Sequence, residues 1–241
     1  MKYKNTYLFA DIPVEVSFSH DFLENQCREY KTDKKPEIFI EISEKDIKNE
    51  AARSEEKNFS AGYFESLAFY RKFCDAVAPK NIILFHSCAI AADGRAYLFA
   101  APSGTGKSTH AMLWKELLGD RAHIINGDKP LIRVSRDEIT VYGTPWDGKE
   151  HMSENTSAPV AGICLLSRGE KNEIRRISAG EAMPLLYRQT YRTGSAEGLS
   201  FVMKNLTEAA ERIPLFQLYC NISPEAAEIS YNAMAGSEKI K

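Results

Sequence analysis

Residues 101 to 109 read Ala-Pro-Ser-Gly-Thr-Gly-Lys-Ser-Thr. Residue types in that order can cradle a phosphate. Gly104 and Gly106 let the chain curl so that successive N–H groups converge on one anion. Lys107 adds a full positive charge, worth roughly 4 kcal/mol at about 4 Å and an effective dielectric near 20, before desolvation is counted. Ser108 offers a hydroxyl to Mg²⁺, the usual companion of nucleotide phosphates. The spacing is that of the Walker A pattern, with Ala101 where its first glycine usually stands. Ser103, Gly104, Thr105, Gly106, Lys107, Ser108 and Thr109 are therefore the candidate nucleotide-binding residues.

Such a loop works only between a strand and a helix. Residues 95–100, RAYLFA, follow an Asp93-Gly94 turn and read as a short apolar strand. From Lys107 onward, Ala111, Leu113, Trp114, Leu117 and Leu118 recur at helical spacing up to Gly119. The helix dipole would then face the bound anion. An ordinary surface turn is the plain alternative.

A second candidate lies 21 positions beyond Lys107, where the strand His123–Asn126 runs into Gly127-Asp128-Lys129-Pro130. An aspartate at that place can ligate Mg²⁺ or act as base for an attacking hydroxyl. Gly-Asp and Lys-Pro also favour a simple turn. His86 sits in the apolar run NIILFHSCAIAA, which with RAYLFA reads as a buried hairpin. A histidine so placed is ordinarily a hydrogen-bonded core residue, and a catalytic role stays open. The segment 143–151, GTPWDGKEH, suits either a loop at the mouth of a site or a hairpin end plugged by Trp146. Arg168 could reach a phosphate or belong to a solvated turn.

Around these, residues 3–19 read as two strands joined through Asp11-Ile12-Pro13, and residues 36–42 as a third. The charged string at 43–58 predicts exposed turn and edge structure. Ser60 can cap a helix to about Ala78 whose aromatic stripe would pack on a sheet. LIRVSRDEITVYG predicts a hairpin, and Pro159–Leu166 a central strand. Ser178 and Glu181 form a capping-box pair opening a helix through Arg192, with Pro184 marking a kink or the true first turn. Helices at 196–212 and from Ser223 to about 235 flank the strand PLFQLYC, and the terminal GSEKIK is expected to fray.

The length, 241 residues, suits one domain with an N-terminal elaboration. A balance of 31 basic against 33 acidic residues gives no general case for nucleic-acid or membrane partners. Five widely spaced cysteines in mostly apolar surroundings read as buried thiols of a reducing compartment. No stretch approaches a membrane span, so a cytoplasmic location is expected.

Taken together, the hairpin carrying His86, the loop PSGTGKST, the aspartate of NGDKP and the GTPW segment resemble the HPr kinase/phosphorylase-like family. Its wider fold group includes the ATP-dependent phosphoenolpyruvate carboxykinases. The resemblance covers roughly residues 80 to 220 and is strongest over 86 to 150. It implies an α/β fold: a twisted mixed sheet with flanking helices around a Walker A loop. One domain is implied, with N-terminal strands and helix at 1–80, a nucleotide-binding catalytic core at 81–220, and a C-terminal helix and tail at 221–241. It also implies ATP and Mg²⁺, with phosphoryl transfer to a hydroxyl. Lys107 would hold the β- and γ-phosphates, Ser108 and Asp128 would ligate the metal, and Asp128, Lys107 and His86 would form the catalytic set.

The chain departs from the family in three ways. Gly127-Asp128 stands where the family has paired acidic residues, so a second carboxylate would have to come from elsewhere, Glu150 or Glu170. The family's separate N-terminal domain has no clear counterpart. Nor is its segment that engages HPr found, so HPr is not the expected acceptor. The expectation is a kinase acting on a small hydroxylated molecule or a serine side chain. A regulatory nucleotide-binding subunit without turnover and a partner-stimulated ATPase are the alternatives. Homo-oligomers are compatible with the resemblance, since related kinases assemble.

Overall fold

The computed structural model describes residues 2–54 and 58–236. Strands β1 (Tyr3–Phe9) and β2 (Ile12–Phe18) form a hairpin in register from Tyr3 opposite Phe18 to Phe9 opposite Ile12. Ala10 and Asp11 turn it in the left-handed region. A short helix, α1 (Asp21–Gln26), leads to β3 (Ile38–Glu41), which lies parallel to β2 and completes a three-stranded sheet.

The next segment corrects the reading of the charged string as turn and edge structure. It is a helix, α2 (Glu44–Arg53). Ser43 Oγ accepts the Asp46 amide while the Asp46 carboxylate accepts that of Ser43, a capping box that satisfies two orphan donors. Glu50 is buried on its inner face, where Arg53 and Arg71 each donate to it at 2.8 Å. Residues 55–57 of that string, and the tail beyond 236, lie outside the described residues. Helix α3 (Ala61–Val77) starts as expected, with Ser60 Oγ accepting the Tyr63 amide at 3.1 Å.

The apolar run after α3 is divided. Its first part is β4 (Ile82–Leu84) and its second β5 (Ser87–Ala92), with Phe85 and His86 at the break. Then follow β6 (Arg95–Ala100), α4 (Lys107–Leu118), β7 (Ala122–Asn126), β8 (Leu131–Val134) and β9 (Ile139–Tyr142). The C-terminal part contains β10 (Ser157–Arg168), β11 (Glu173–Ile177), α5 (Ala179–Gln189), α6 (Ala196–Arg212), β12 (Leu215–Cys220) and α7 (Pro224–Ala235). Helix α5 has the expected Ser178–Glu181 capping box but stops three residues short of Arg192, because Thr190 is extended and returns its hydroxyl to the Leu186 carbonyl at 2.8 Å. Pro184 is its sixth residue, inside the helix and beyond the first turn.

Nine strands make one mixed sheet in the order β4-β8-β9-β10-β6-β5-β7, with β12 joined to β10 and β11 to β12. The long strand β10 serves two neighbourhoods. Ser157–Pro159 pair antiparallel with β9, and further along the strand pairs parallel with β6 and β12. The sheet is curled, with helices around it, a mixed α/β architecture as expected. Helices α5 and α6 cover one apolar cluster, and α4 and α7 cover another. A third joins β1, β2 and α3 to Leu84, Leu131 and Trp146. Among the described residues no helix is long and apolar enough to cross a membrane.

Candidate functional site

Strand β6 and helix α4 hold the glycine loop between them. Gly104 and Gly106 have φ of +76° and +117°, and nothing lies within 4 Å of where a Cβ would stand. The left-handed backbone, not crowding, therefore demands glycine. Lys107 is only 7 % exposed, and its Nζ donates to the Ala101 carbonyl at 3.1 Å. Among the described residues no carboxylate is within ion-pair distance of that ammonium. Burial lowers its pKa, although the nearby Asp128 charge works the other way. Ser108 and Thr105 are half-buried, whereas Ser103 and Thr109 are exposed. Arg168, at the end of β10, donates to the Gly104 carbonyl at 2.5 Å and so braces the loop.

Asp128 stands at the end of β7, in a turn organised by Asn126. That side chain is fully buried; its Oδ1 accepts the amides of Asp128 at 2.9 Å and Lys129 at 2.7 Å. Its Nδ2 donates to the carbonyl and hydroxyl of Thr144, at 3.0 and 3.1 Å. One side-chain amide thus ties the Asp128 turn to segment 143–151. The Asp128 carboxylate lies 3.1 Å from His86 Nε2 and also contacts the Lys129 ammonium. Burial pushes its pKa up, but His86 and Lys129 outweigh that and hold it well below the usual carboxylate range. The break between β4 and β5 sets His86 there, with its amide on the Gln189 carbonyl at 2.7 Å. Gly148, at φ +80°, passes so near that a Cβ would stand 3.1 Å from that of Asp128.

Segment 143–151 plays both of the roles left open for it. Trp146 is 6 % exposed and plugs a cluster of Phe9, Phe69, Tyr70 and Phe73, with ring centroids 5.2–5.8 Å away. Its neighbours Asp147, Gly148 and Lys149 line a cleft of about 940 Å³ that also contains Asp128 and Lys129. Sequence reasoning missed Asp147 and Lys129. Burial raises the Asp147 carboxyl pKa, its own backbone amide and His151 opposing and Asp128 adding to the rise. Of the two carboxylates named beforehand, Glu150 is near enough to act electrostatically on Lys107. Glu170 lies in the β10–β11 turn, its carbonyl accepting from Asn221.

A second cleft, about 420 Å³, opens between the glycine loop and the ends of β10 and β12, lined by Gly104, Gly106, Leu113, Arg168 and Ile222. His110 forms part of its wall, and its Nε2 lies 2.9 Å from Ser230 Oγ. That hydroxyl accepts from Trp114 Nε1 and donates to the Ala226 carbonyl, so His110 Nε2 carries the proton. Burial holds the imidazole pKa down to about 4. Among the described residues no three or more His, Cys, Asp or Glu side chains are grouped to hold a metal. A Mg²⁺ site needs no such cage, because it uses one or two carboxylates with substrate phosphates and water. Of the two oxygen donors expected for one, Asp128 is half-buried and ionised and Ser108 is half-buried.

No protein-family model matches the sequence, and no curated protein matches it. Among solved structures, the chain is similar to an HPr(Ser) kinase/phosphatase from Coxiella burnetii, with 10% identity over 65% of this chain and 97% of that one, at a TM-score of 0.37. A likeness of that degree says nothing about activity, which must be read from the side chains.

Proposed function

We propose that the protein is an ATP- and Mg²⁺-dependent kinase that transfers the γ-phosphate to a hydroxyl of a small molecule or a serine side chain. The observation that carries this reading is Lys107. A buried ammonium with a carbonyl partner and, among the described residues, no carboxylate in ion-pair contact, under two left-handed glycines at a helix N-terminus, suits an incoming anion. In this reading Lys107 and the amides of 103–106 hold the β- and γ-phosphates, and Arg168 fixes the loop. The nucleoside extends into the cleft by Leu113 and Ile222. Ser108 and Asp128 hold Mg²⁺, which when bound offsets the charge on the phosphoryl oxygens.

The acceptor enters from the cleft on the Asp128 side. A carboxylate held so firmly ionised is a weak base, so Asp128 orients the hydroxyl and receives its proton late, as a loose transition state allows. Asp147, made more basic by burial, is the second carboxylate in place of Glu150 or Glu170.

Lys129 on the Asp128 carboxylate supports one competing reading, a regulatory nucleotide-binding protein without turnover. The test is phosphoryl transfer from γ-labelled ATP with Mg²⁺ to a metabolite extract and, separately, a protein extract. Label that appears in either pool and vanishes in Lys107→Ala and Asp128→Asn supports the kinase. ATP binding that needs Lys107, with no transfer to either pool, supports the regulator.

A further inference from the structure

Resting on the kinase reading, we infer that the acceptor is an alcohol joined to a flat apolar group, and that Phe22, Phe59 and Tyr63 select it. These three rings line the same cleft as Asp128 and Lys129. Phe59 stacks on Tyr63 with centroids 4.3 Å apart, and Phe22 meets Tyr63 edge-on at 6.1 Å. Despite those contacts Phe22 remains 38 % exposed and Phe59 41 %, so the shelf presents apolar surface to the cavity. Adjoining exposed rings in a concave site mark a place where something apolar docks.

The helix that carries Phe22 is held close against α3. A Cβ on Gly62 would lie 2.7 Å from that of Phe22, so α1 rests directly on the backbone of α3. Gln26, also on α1, donates to the Pro145 carbonyl at 3.2 Å and takes the Ser66 hydroxyl, tying the shelf to the segment that carries Asp147.

Size argues the same way. At about 940 Å³ the cleft is near the upper end of the ~300–1,000 Å³ typical of ligand sites. A bare polyol at Asp128 would leave the rings uncovered. An acceptor with its hydroxyl at Asp128 and an aromatic or bulky alkyl group on the shelf fills both ends. That chemistry is supplied equally by a small aromatic alcohol or by a serine beside an aromatic residue.

The experiment is calorimetric binding to the full chain with two matched pairs of probes: 3-phenylpropane-1,2-diol against glycerol, and N-acetyl-Phe-Ser-amide against N-acetyl-Ala-Ser-amide. In at least one pair the phenyl member should bind about tenfold tighter or better, the scale of one aromatic contact. Phe22→Ala and Phe59→Ala should each erase most of that preference while leaving ATP affinity unchanged. Both rings are partly exposed, and an unchanged urea midpoint will confirm folding. A preference in the diol pair alone identifies a small-molecule acceptor, and in the peptide pair alone a serine residue. No preference in the wild type, or a preference that survives both variants, overturns the inference. The kinase reading fails separately, if ATP binding does not depend on Lys107.

Discussion

Replacing Asn126 by alanine tests how the Asp128 turn is held. The side chain accepts hydrogen bonds from the amides of Asp128 and Lys129 and donates two more to Thr144. Thr144 would not be orphaned, because Ser153 Oγ still donates to its carbonyl at 2.7 Å and its own hydroxyl still reaches the Lys129 carbonyl at 2.8 Å. The loss is therefore two amide bonds in a half-buried turn, about 1 kcal/mol each, or about 2 kcal/mol. For a chain of this size that lowers Tm by about 4–8 °C. The larger effect should fall on transfer: displacing a reacting carboxylate by about 1 Å can cost about 10²-fold. Calorimetry and the labelled-ATP assay read the two quantities, with Asn126→Asp as the companion variant. Asn126→Asp still accepts both amides, so the turn should keep its shape while losing the tie to Thr144. A fall in Tm of less than about 2 °C together with unimpaired transfer in Asn126→Ala would refute the assignment of Asn126 as organiser of the turn.

Three further perturbations follow from the electrostatics and the loop. Because His86 and Lys129 hold the Asp128 pKa below its unfolded value near 4, the stabilisation is full above that pH and fades as pH drops below it. The gap in urea midpoint between wild type and Asp128→Asn should accordingly be widest at pH 7 and begin to shrink only below pH 4, with most of it still present at pH 3. His110, neutral when folded with a pKa of about 4 against about 6.5 unfolded, contributes fully above pH 6.5 and loses roughly 3 kcal/mol as pH falls toward 4. His110→Gln should flatten the decline in urea midpoint between pH 7 and 4.5; an unchanged decline would assign it to other groups. Arg168→Ala removes the brace on the Gly104 carbonyl, so ATP affinity should weaken by about tenfold while Tm moves by less than about 2 °C, since the side chain is exposed.

The parts of the candidate site that were legible in the sequence are those whose geometry is local. Gly104, Gly106 and the helix start at Lys107 follow from backbone rules acting over a few residues, and so does the strand that ends before Asp128. That His86 would meet Asp128 came from the family resemblance alone. In the fold, the break at Phe85 that brings them together reflects two strands joining different neighbours, β4 with β8 and β5 with β6 and β7. Asp147 looked like one polar residue among several in a glycine-rich segment; its place beside Asp128 is fixed by Trp146, whose partners lie as far back as Phe9. The stripe of Tyr63, Leu67, Tyr70, Phe73, Cys74 and Val77 on α3 reads as packing, which holds for Phe73, Cys74 and Val77, whereas Tyr63 and Leu67 line the cleft. Helical periodicity says which residues share a face, and only the neighbouring elements decide whether that face meets a core or a cavity. Helix α2 was hidden by its charge, although Ser43 and Asp46 carried its capping signal.

The aromatic cluster around Trp146 also bears on how the chain is made. Phe9, Phe69 and Phe73 are synthesised well before the indole that closes over them, and 73 residues separate Phe73 from Trp146. At roughly 5–20 residues per second the ribosome takes about 4 to 15 s to cover that interval. During it the nascent first sheet and α3 carry an open apolar face, ready for a chaperone or for another nascent chain. The residue that anchors the candidate site thus also covers much of that face, with Tyr191 reaching Tyr70 later still, so a ribosome stalled before residue 146 would present the face open.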